Sequence, residues 1–347
     1  MSQTPDWVAD PAIAWRIVLS ATVSTPLAVE DVRERLSALH SEQGWWPASG
    51  RVLTGPDEAA LRRTLGDERQ GVVSLGLTED GRRIVVSAHH SRVDGLGLLA
   101  VLGSVTGTSV ASSARGVGDR PDDAGPLGTV ARRLLEVAAT PPARIAAPSP
   151  VTRSAPRDDL DVYVERELSA PVRTAALVLA GARGVTAFNR AHAARGRTRR
   201  TRHVAVAIGV SRDTSAAAIA DRSALLRLRD VERLDLGGIT DALALAPTQR
   251  PVQGTGSGAG LLTAGLRVLA PRLGSTLLVS HLGNLAADGL DALSFHPVTA
   301  GGSGVSLGAL TLAGRTRVSL RARGTAWTHD GLEQLLEAVV AEVPSGG

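Results

Sequence analysis

The sequence predicts an α/β protein built as two lobes of similar size. Three observations carry that expectation. Strand-like and helix-like patterns alternate in both halves of the chain. A proline-rich stretch, 141–160, interrupts the alternation between them. The length of 347 residues suits about two domains, and a hydrophobic content of 43% is ample for their cores. The expected organisation is an N-terminal lobe over 1–140, a linker or crossover over 141–160 and a C-terminal lobe over 161–347.

The elements follow in order. AIAWRIVLSAT (12–22) reads as a first strand, and EDVRERLSALHSEQ (30–43) as an amphipathic helix. DEAALRRTLGD (57–67) has the same helical period, with Leu61 and Leu65 four residues apart. GVVSLGL (71–77) and RRIVVSA (82–88) flank an Asp80-Gly81 turn, which signals a hairpin. LGLLAVLGSV (96–105) reads as a helix, and GTVARRLLEVAA (128–139) as another. Beyond the prolines come strand 161–168, helices 172–183 and 185–196, and strand 202–210. An apolar helix around 259–270, strand 275–282, strands near 303–311 and 314–323, and a closing amphipathic helix over 328–343 complete the chain. No internal repeat is evident.

Composition excludes several classes. There is no cysteine, so neither disulfides nor thiolate metal sites arise. Aromatics make up 2%, so the core is built from Ala, Val, Leu and Ile. No apolar run approaches the roughly 18 residues of a membrane span, and the N-terminus lacks the pattern of a signal peptide. A cytoplasmic protein is expected. The net charge of +4 rests entirely on arginine, since the chain has no lysine. Basic stretches without interleaved aromatics argue against nucleic acid as a partner.

Two familiar patterns fail on context. GTGSGAG (254–260) contains G-x-G-x-x-A, but neither a strand before it nor an acid about 20 residues on supports dinucleotide binding. GVSLG (304–308) matches G-x-S-x-G, yet a strand-like sequence follows it where a nucleophile elbow needs a helix. Ser306 therefore reads as an ordinary strand residue.

The junction HHSRVDG (89–95), between strand 82–88 and helix 96–105, is the stretch with chemistry in it. Neighbouring residues on a strand face opposite ways, so His89 and His90 are not a metal pair, and no carboxylate set stands nearby in sequence. No metal is expected. Asp94 is placed as the N-cap of the helix, and Gly95, without a Cβ, permits a close approach.

This stretch resembles the HHxxxDG signature of the superfamily of chloramphenicol acetyltransferase, nonribosomal peptide condensation domains, wax ester synthases and polyketide-associated acyltransferases. His89, His90, Asp94 and Gly95 complete the match. RAHAARGRTRRTRHVAVAIGVSR (190–212) resembles the second-lobe helix, loop and strand of that superfamily. LLVSHLGNLAADGLDALSFHPVTAGG (277–302) resembles the SNVPGP-type stretch of its wax-ester branch, and the closing segment resembles that branch's last strand and helix. The resemblance implies two chloramphenicol-acetyltransferase-like lobes in a V, with a channel between them. It implies that His90 faces the channel and His89 turns into packing. It also implies that Asp94 pairs with an arginine, for which Arg212 is the candidate by position; that role competes with capping.

The expected activity is acyl transfer from a CoA or carrier-protein thioester to a hydroxyl or amine. Histidine is largely a neutral base at pH 7, and His90 is assigned as the general base of a direct transfer. Ser280 and Asn284 are candidate oxyanion donors, with ordinary loop structure as the other reading of each. RGRTRRTR (195–202) packs five arginines into eight residues. It is either a solvated loop or a docking site in which Arg197, Arg199 and Arg200 meet the phosphate of CoA or the acidic surface of an acyl or peptidyl carrier protein. No permanently bound cofactor is expected; the thioester is a co-substrate and a small molecule the acceptor, in secondary metabolism or lipid assembly. The alternatives are a non-catalytic relative that binds a carrier protein or ligand between the lobes, and a cyclase acting on a carrier-bound substrate.

Overall fold

β1 (Arg16–Val23) alternates its buried side chains between two layers. Ile17, Leu19, Ala21 and Val23 enter one apolar cluster, and Val18 enters another. A strand covered on both faces must lie inside a sheet, and β1 does. The computed structural model describes residues 14–46, 50–118, 120, 140–146, 160–192, 203–212, 219–249, 275–299 and 304–344.

Around β1 the first sheet runs β10-β1-β4-β3-β2. Its strands are β2 (Arg51–Gly55), β3 (Val73–Thr78), β4 (Arg83–His89) and β10 (Leu290–His296). The expected hairpin is present, with β3 and β4 antiparallel and Gly81 at φ 68° in the turn. On one face lie α1 (Val29–Gln43) and α3 (Gly95–Thr106), whose Val32, Leu36, Leu98 and Leu102 close the larger cluster. On the other lies α2 (Glu58–Gly66), whose Leu61 and Leu65 pack on Val18 and Val85. Each such fully buried aliphatic side chain contributes about 1.5–3 kcal/mol relative to exposure.

The second sheet runs β6-β12-β11-β9-β7-β8, and β5 (Val110–Ser112) adds to β9. It comprises β6 (Asp161–Leu168), β7 (Val206–Ser211), β8 (Ser223–Leu228), β9 (Leu277–Ala287), β11 (Val305–Leu312) and β12 (Arg315–Arg323). Its apolar face buries α4 (Thr174–Ala191) and α6 (His329–Val340), and fully buried Ile239 of α5 (Leu236–Leu245) joins the same cluster.

The sheets exchange strands, so a boundary at 141–160 does not separate them. β10 comes from the C-terminal part of the chain and pairs antiparallel with β1 from Val18↔His296 to Val23↔Leu290. β5 comes from the N-terminal part and pairs with β9. Each supplies backbone partners to a strand edge that its own half leaves open. Arg321 of β12 ties the two sheets further. Fully buried, it pairs with Asp161 at 2.7 Å and donates to the carbonyls of Arg16 (2.6 Å) and Gly66 (3.1 Å). Arg62 of α2 reaches Glu165 of β6 at 3.0 Å.

Two expected helices, 172–183 and 185–196, form the single helix α4 over its described length. Gly184 does not break it, because the glycine serves packing: a Cβ there would stand 2.6 Å from Cα of Val339 on α6. β2, β5, β8, β10 and α5 carry no clear periodic signal and were not expected. The helices expected at 128–139 and around 259–270 lie outside the described residues.

Candidate active site

The chain leaves β4 at His89 and enters α3 at Gly95. Backbone bonds set the path between them. The His89 amide donates to Val72 O and the His90 amide to Trp15 O, each at 2.8 Å. Arg92 and Val93 then turn back onto His89 O at 3.0 and 3.3 Å. Val93 is fully buried in the first-lobe cluster and anchors the loop.

The histidines face different surroundings. His89 lies on the face of β4 that carries Ser87, opposite Arg16 in register. Its Nδ1 accepts from the Ser91 amide (3.4 Å) and hydroxyl (2.7 Å), which places its proton on Nε2. Burial, helped by the Arg16, His90 and Arg92 charges, pulls its pKa down to about 4. His90 is half-buried, and its Nδ1 lies 3.3 Å from Val93 O. A carbonyl only accepts, so Nδ1 carries the proton and Nε2 the free lone pair. The two residues thus hold opposite tautomers, and His90 is the one with a basic nitrogen outside the loop's own bonds.

Asp94 caps α3. Its Oδ1 accepts from the Gly97 amide at 2.8 Å. Its Oδ2 accepts from the Arg222 amide at 3.3 Å and the Ser211 hydroxyl at 3.4 Å, and its own amide donates to Ala220 O at 3.1 Å. The loop that carries His90 is therefore latched to the end of β7 and the start of β8. The expected pairing with Arg212 is corrected: Asp94 is bonded as above, while the Arg212 guanidinium donates to Thr248 Oγ1 at 2.9 Å and the Arg212 amide to Arg222 O. Two backbone-directed contacts and a hydroxyl satisfy the carboxylate without a cation. Gly95 is explained by packing as well, since a Cβ there would stand 2.6 Å from Leu282 Cδ2.

Ser280 lies on β9 between Leu278 and Leu282, which both pack on the first-lobe cluster. Its register neighbours are Gly209 on β7 and Gly308 on β11, and the Phe295 carbonyl and Ser319 hydroxyl fill the space a Cβ on Gly308 would take. A Cβ on Gly209 would stand 3.2 Å from Ser280 Oγ. Ser280 thus shares the face of the second sheet that meets the start of α3. Asn284 lies beyond a break in alternation at Gly283 (φ 78°) and is exposed, its backbone tied to Ser113. Arg197, Arg199 and Arg200 lie outside the described residues. Trp15, Val93, Ser211, Ala220 and Arg222 act on the loop through backbone groups or a short hydroxyl, for which the sequence offers no signal.

His281, next to Ser280, points the other way, to α4, where Nδ1 meets Thr174 Oγ1 at 3.0 Å. Burial alone lowers its pKa to about 4, and buried His296, beside Arg62 and Arg321, titrates well below 6.5. An unfolded histidine binds its proton near 6.5. Between about 6.5 and 4 the unfolded chain therefore holds more protons, and stability falls as the pH drops through that window. Urea unfolding from pH 7 to 4 should show this loss, with a shallower slope for His281→Gln. An unaltered slope would exclude His281 from it.

No protein-family model matches the chain, and no curated protein matches it. Solved structures do. A variant of the starter condensation domain of rhizomide synthetase RzmA in complex with C8-CoA aligns with a TM-score of 0.55 at 14% identity, over 96% of this chain and 91% of that one. The first condensation domain of the CDA synthetase aligns with a TM-score of 0.51 at 16% identity, over 97% and 93%. The chain has the condensation-domain fold. That fold also covers the epimerization domain from the third module of tyrocidine synthetase B, which aligns with a TM-score of 0.50 at 14% identity, over 95% and 91%. No described helix is long and apolar enough to cross a membrane.

Proposed function

We propose that the protein transfers an acyl group from a CoA or carrier-protein thioester to the hydroxyl or amine of a small acceptor, with His90 as general base. The observation that carries this reading is the bond from His90 Nδ1 to Val93 O, which leaves Nε2 with a lone pair. Nε2 takes the acceptor's proton as its oxygen or nitrogen attacks the thioester carbonyl. The tetrahedral intermediate collapses, the C–S bond breaks, and the imidazolium returns the proton to the leaving thiolate. No acyl group passes through the protein.

Ser280 is the better of the two oxyanion candidates, because it is half-buried on the sheet face that meets the start of α3, whereas Asn284 stands exposed past the Gly283 bulge. The rhizomide relative binds an acyl-CoA, which supports a thioester donor here. Arg197, Arg199 and Arg200 are proposed to draw in its phosphate or an acidic carrier protein. A cytoplasmic role in secondary metabolism or lipid assembly fits such substrates. A second reading comes from the epimerization relative: the same base could move a proton at the carbon next to a thioester.

The test is incubation with a panel of acyl-CoA and acyl-carrier donors and amine or hydroxyl acceptors, read by intact mass in deuterated and ordinary water. The expected result is acyl on the acceptor and none on the protein. Deuterium uptake by the donor without transfer would favour epimerization. Donor binding with neither outcome would overturn catalysis in favour of a binding role.

A further inference from the structure

Arg16 is fully buried at the start of β1, and among the described residues no carboxylate stands within ion-pair distance of it. A buried cation in that state costs several kcal/mol unless its hydrogen bonds are met. They are met by the segment that enters β3 and by the end of β4. Nε donates to Ser87 Oγ at 3.1 Å. Nη1 donates to Gly71 O at 2.8 Å and Val72 O at 3.1 Å. Nη2 donates to Ser74 Oγ at 3.1 Å and Ser87 O at 3.5 Å.

Two of these acceptors bear directly on the loop. Val72 O is also the acceptor of the His89 amide. Ser87 precedes His89 by two residues on β4, and Arg16 is the register partner of His89. The residue before Arg16 closes the arrangement. Trp15 has φ 53°, a left-handed backbone uncommon for a bulky residue, and its carbonyl accepts the His90 amide. On the far side, Arg321 of the second sheet donates to Arg16 O. The charges that act on Arg16 are Glu68 and Arg321, and those that act on His89 are Arg16, His90 and Arg92.

We infer that Arg16 is a positioning residue for His90. Its guanidinium locks the ends of β3 and β4 to the start of β1 and thereby sets where the His90 backbone leaves the sheet. A forked donor is needed for this, because one group must reach two carbonyls on one side and two serines on the other; the single ammonium of lysine cannot. The inference rests on the reading of His90 as the general base.

The test uses the full chain labelled with 15N-histidine, with His90 assigned through His90→Gln. Arg16→Lys keeps the charge and removes the fork; Arg16→Gln removes both. Ser87→Ala takes away the Nε acceptor while the cation stays, so it reports even where neither Arg16 variant folds. The expected result is that the His90 ring loses its single Nδ1–H form and becomes a mixture of tautomers, most in Arg16→Gln and least in Ser87→Ala. Turnover at saturating donor should fall on the order of ten- to a hundredfold in the Arg16 variants, the scale of a misplacement near 1 Å, with the KM for donor and acceptor little changed. A folded Arg16→Lys or Ser87→Ala protein with the parent His90 spectrum would overturn the inference. The two failures are separable. If the spectra change but His90→Gln retains full transfer, Arg16 positions His90 and the general-base reading is what fails.

Discussion

His90→Ala is expected to lower turnover by about 10²–10⁴-fold, the usual worth of a positioned general base, while the fold stays intact. The side chain is half-buried and its one protein bond is the contact of Nδ1 with Val93 O at 3.3 Å. Removing it should cost no more than about 0.5–1.5 kcal/mol. The contrast with its neighbour sharpens the expectation. His89 is turned toward Arg16 and bonded to Ser91, with its pKa pulled down to about 4, so His89→Ala should act mainly on stability. Turnover and melting temperature measured side by side decide the matter. Unchanged turnover in His90→Ala, or equal losses from both substitutions, would take the base role away from His90.

Asp94→Ala is expected to be the more damaging change to folding, at about 2–4 kcal/mol. The N-cap bond to Gly97 accounts for roughly 1 kcal/mol, and the bonds from the Arg222 amide and the Ser211 hydroxyl add about 0.5–1.5 kcal/mol each. Asp94→Asn should fall between, since Oδ1 can still accept from Gly97 while an NH₂ would face the Arg222 amide donor to donor. Burial pushes the Asp94 carboxyl above its ordinary range, opposed first by the Gly97 amide and then by His90 and the Arg222 amide. A folded pKa above the unfolded one means that the protonated form is favoured on folding. That contribution is fully present below about 3.8 and is lost as the pH rises through the raised value. The latch is therefore held at neutral pH by its hydrogen bonds, against the cost of the buried charge. Denaturant unfolding of both variants at pH 7 tests this; parent-like stability in Asp94→Ala would remove the latch.

What was legible in the sequence was local. Asp94 before an apolar helical run reads as a cap, Asp80-Gly81 between apolar runs reads as a hairpin, and two histidines at a strand end mark a candidate base. What was not legible depends on contacts across the chain. Ser211 and Arg222 meet Asp94 from 117 and 128 residues away, through one small hydroxyl and a backbone amide that nothing local in the sequence singles out. Arg212 had the charge to pair with Asp94, but the turn of the chain leaves that guanidinium at Thr248. β10 leaves its own half to pair with β1, although Asp288-Gly289 before it carries the same turn dipeptide as the hairpin that was read. Gly184 reads as a breaker until Val339 is seen against it.

The central claim is direct transfer with His90 as base, and a single-turnover quench tests it most directly. The protein in excess is mixed with an accepted acyl thioester and acceptor, stopped over time and weighed intact, alongside His90→Ala. The expected result is acylated acceptor formed at the rate the donor is consumed, an unchanged protein mass at every time, and transfer slowed at least about a hundredfold in the variant. An acylated protein that forms before the product and decays into it, or a variant that transfers at the parent rate, would contradict the account.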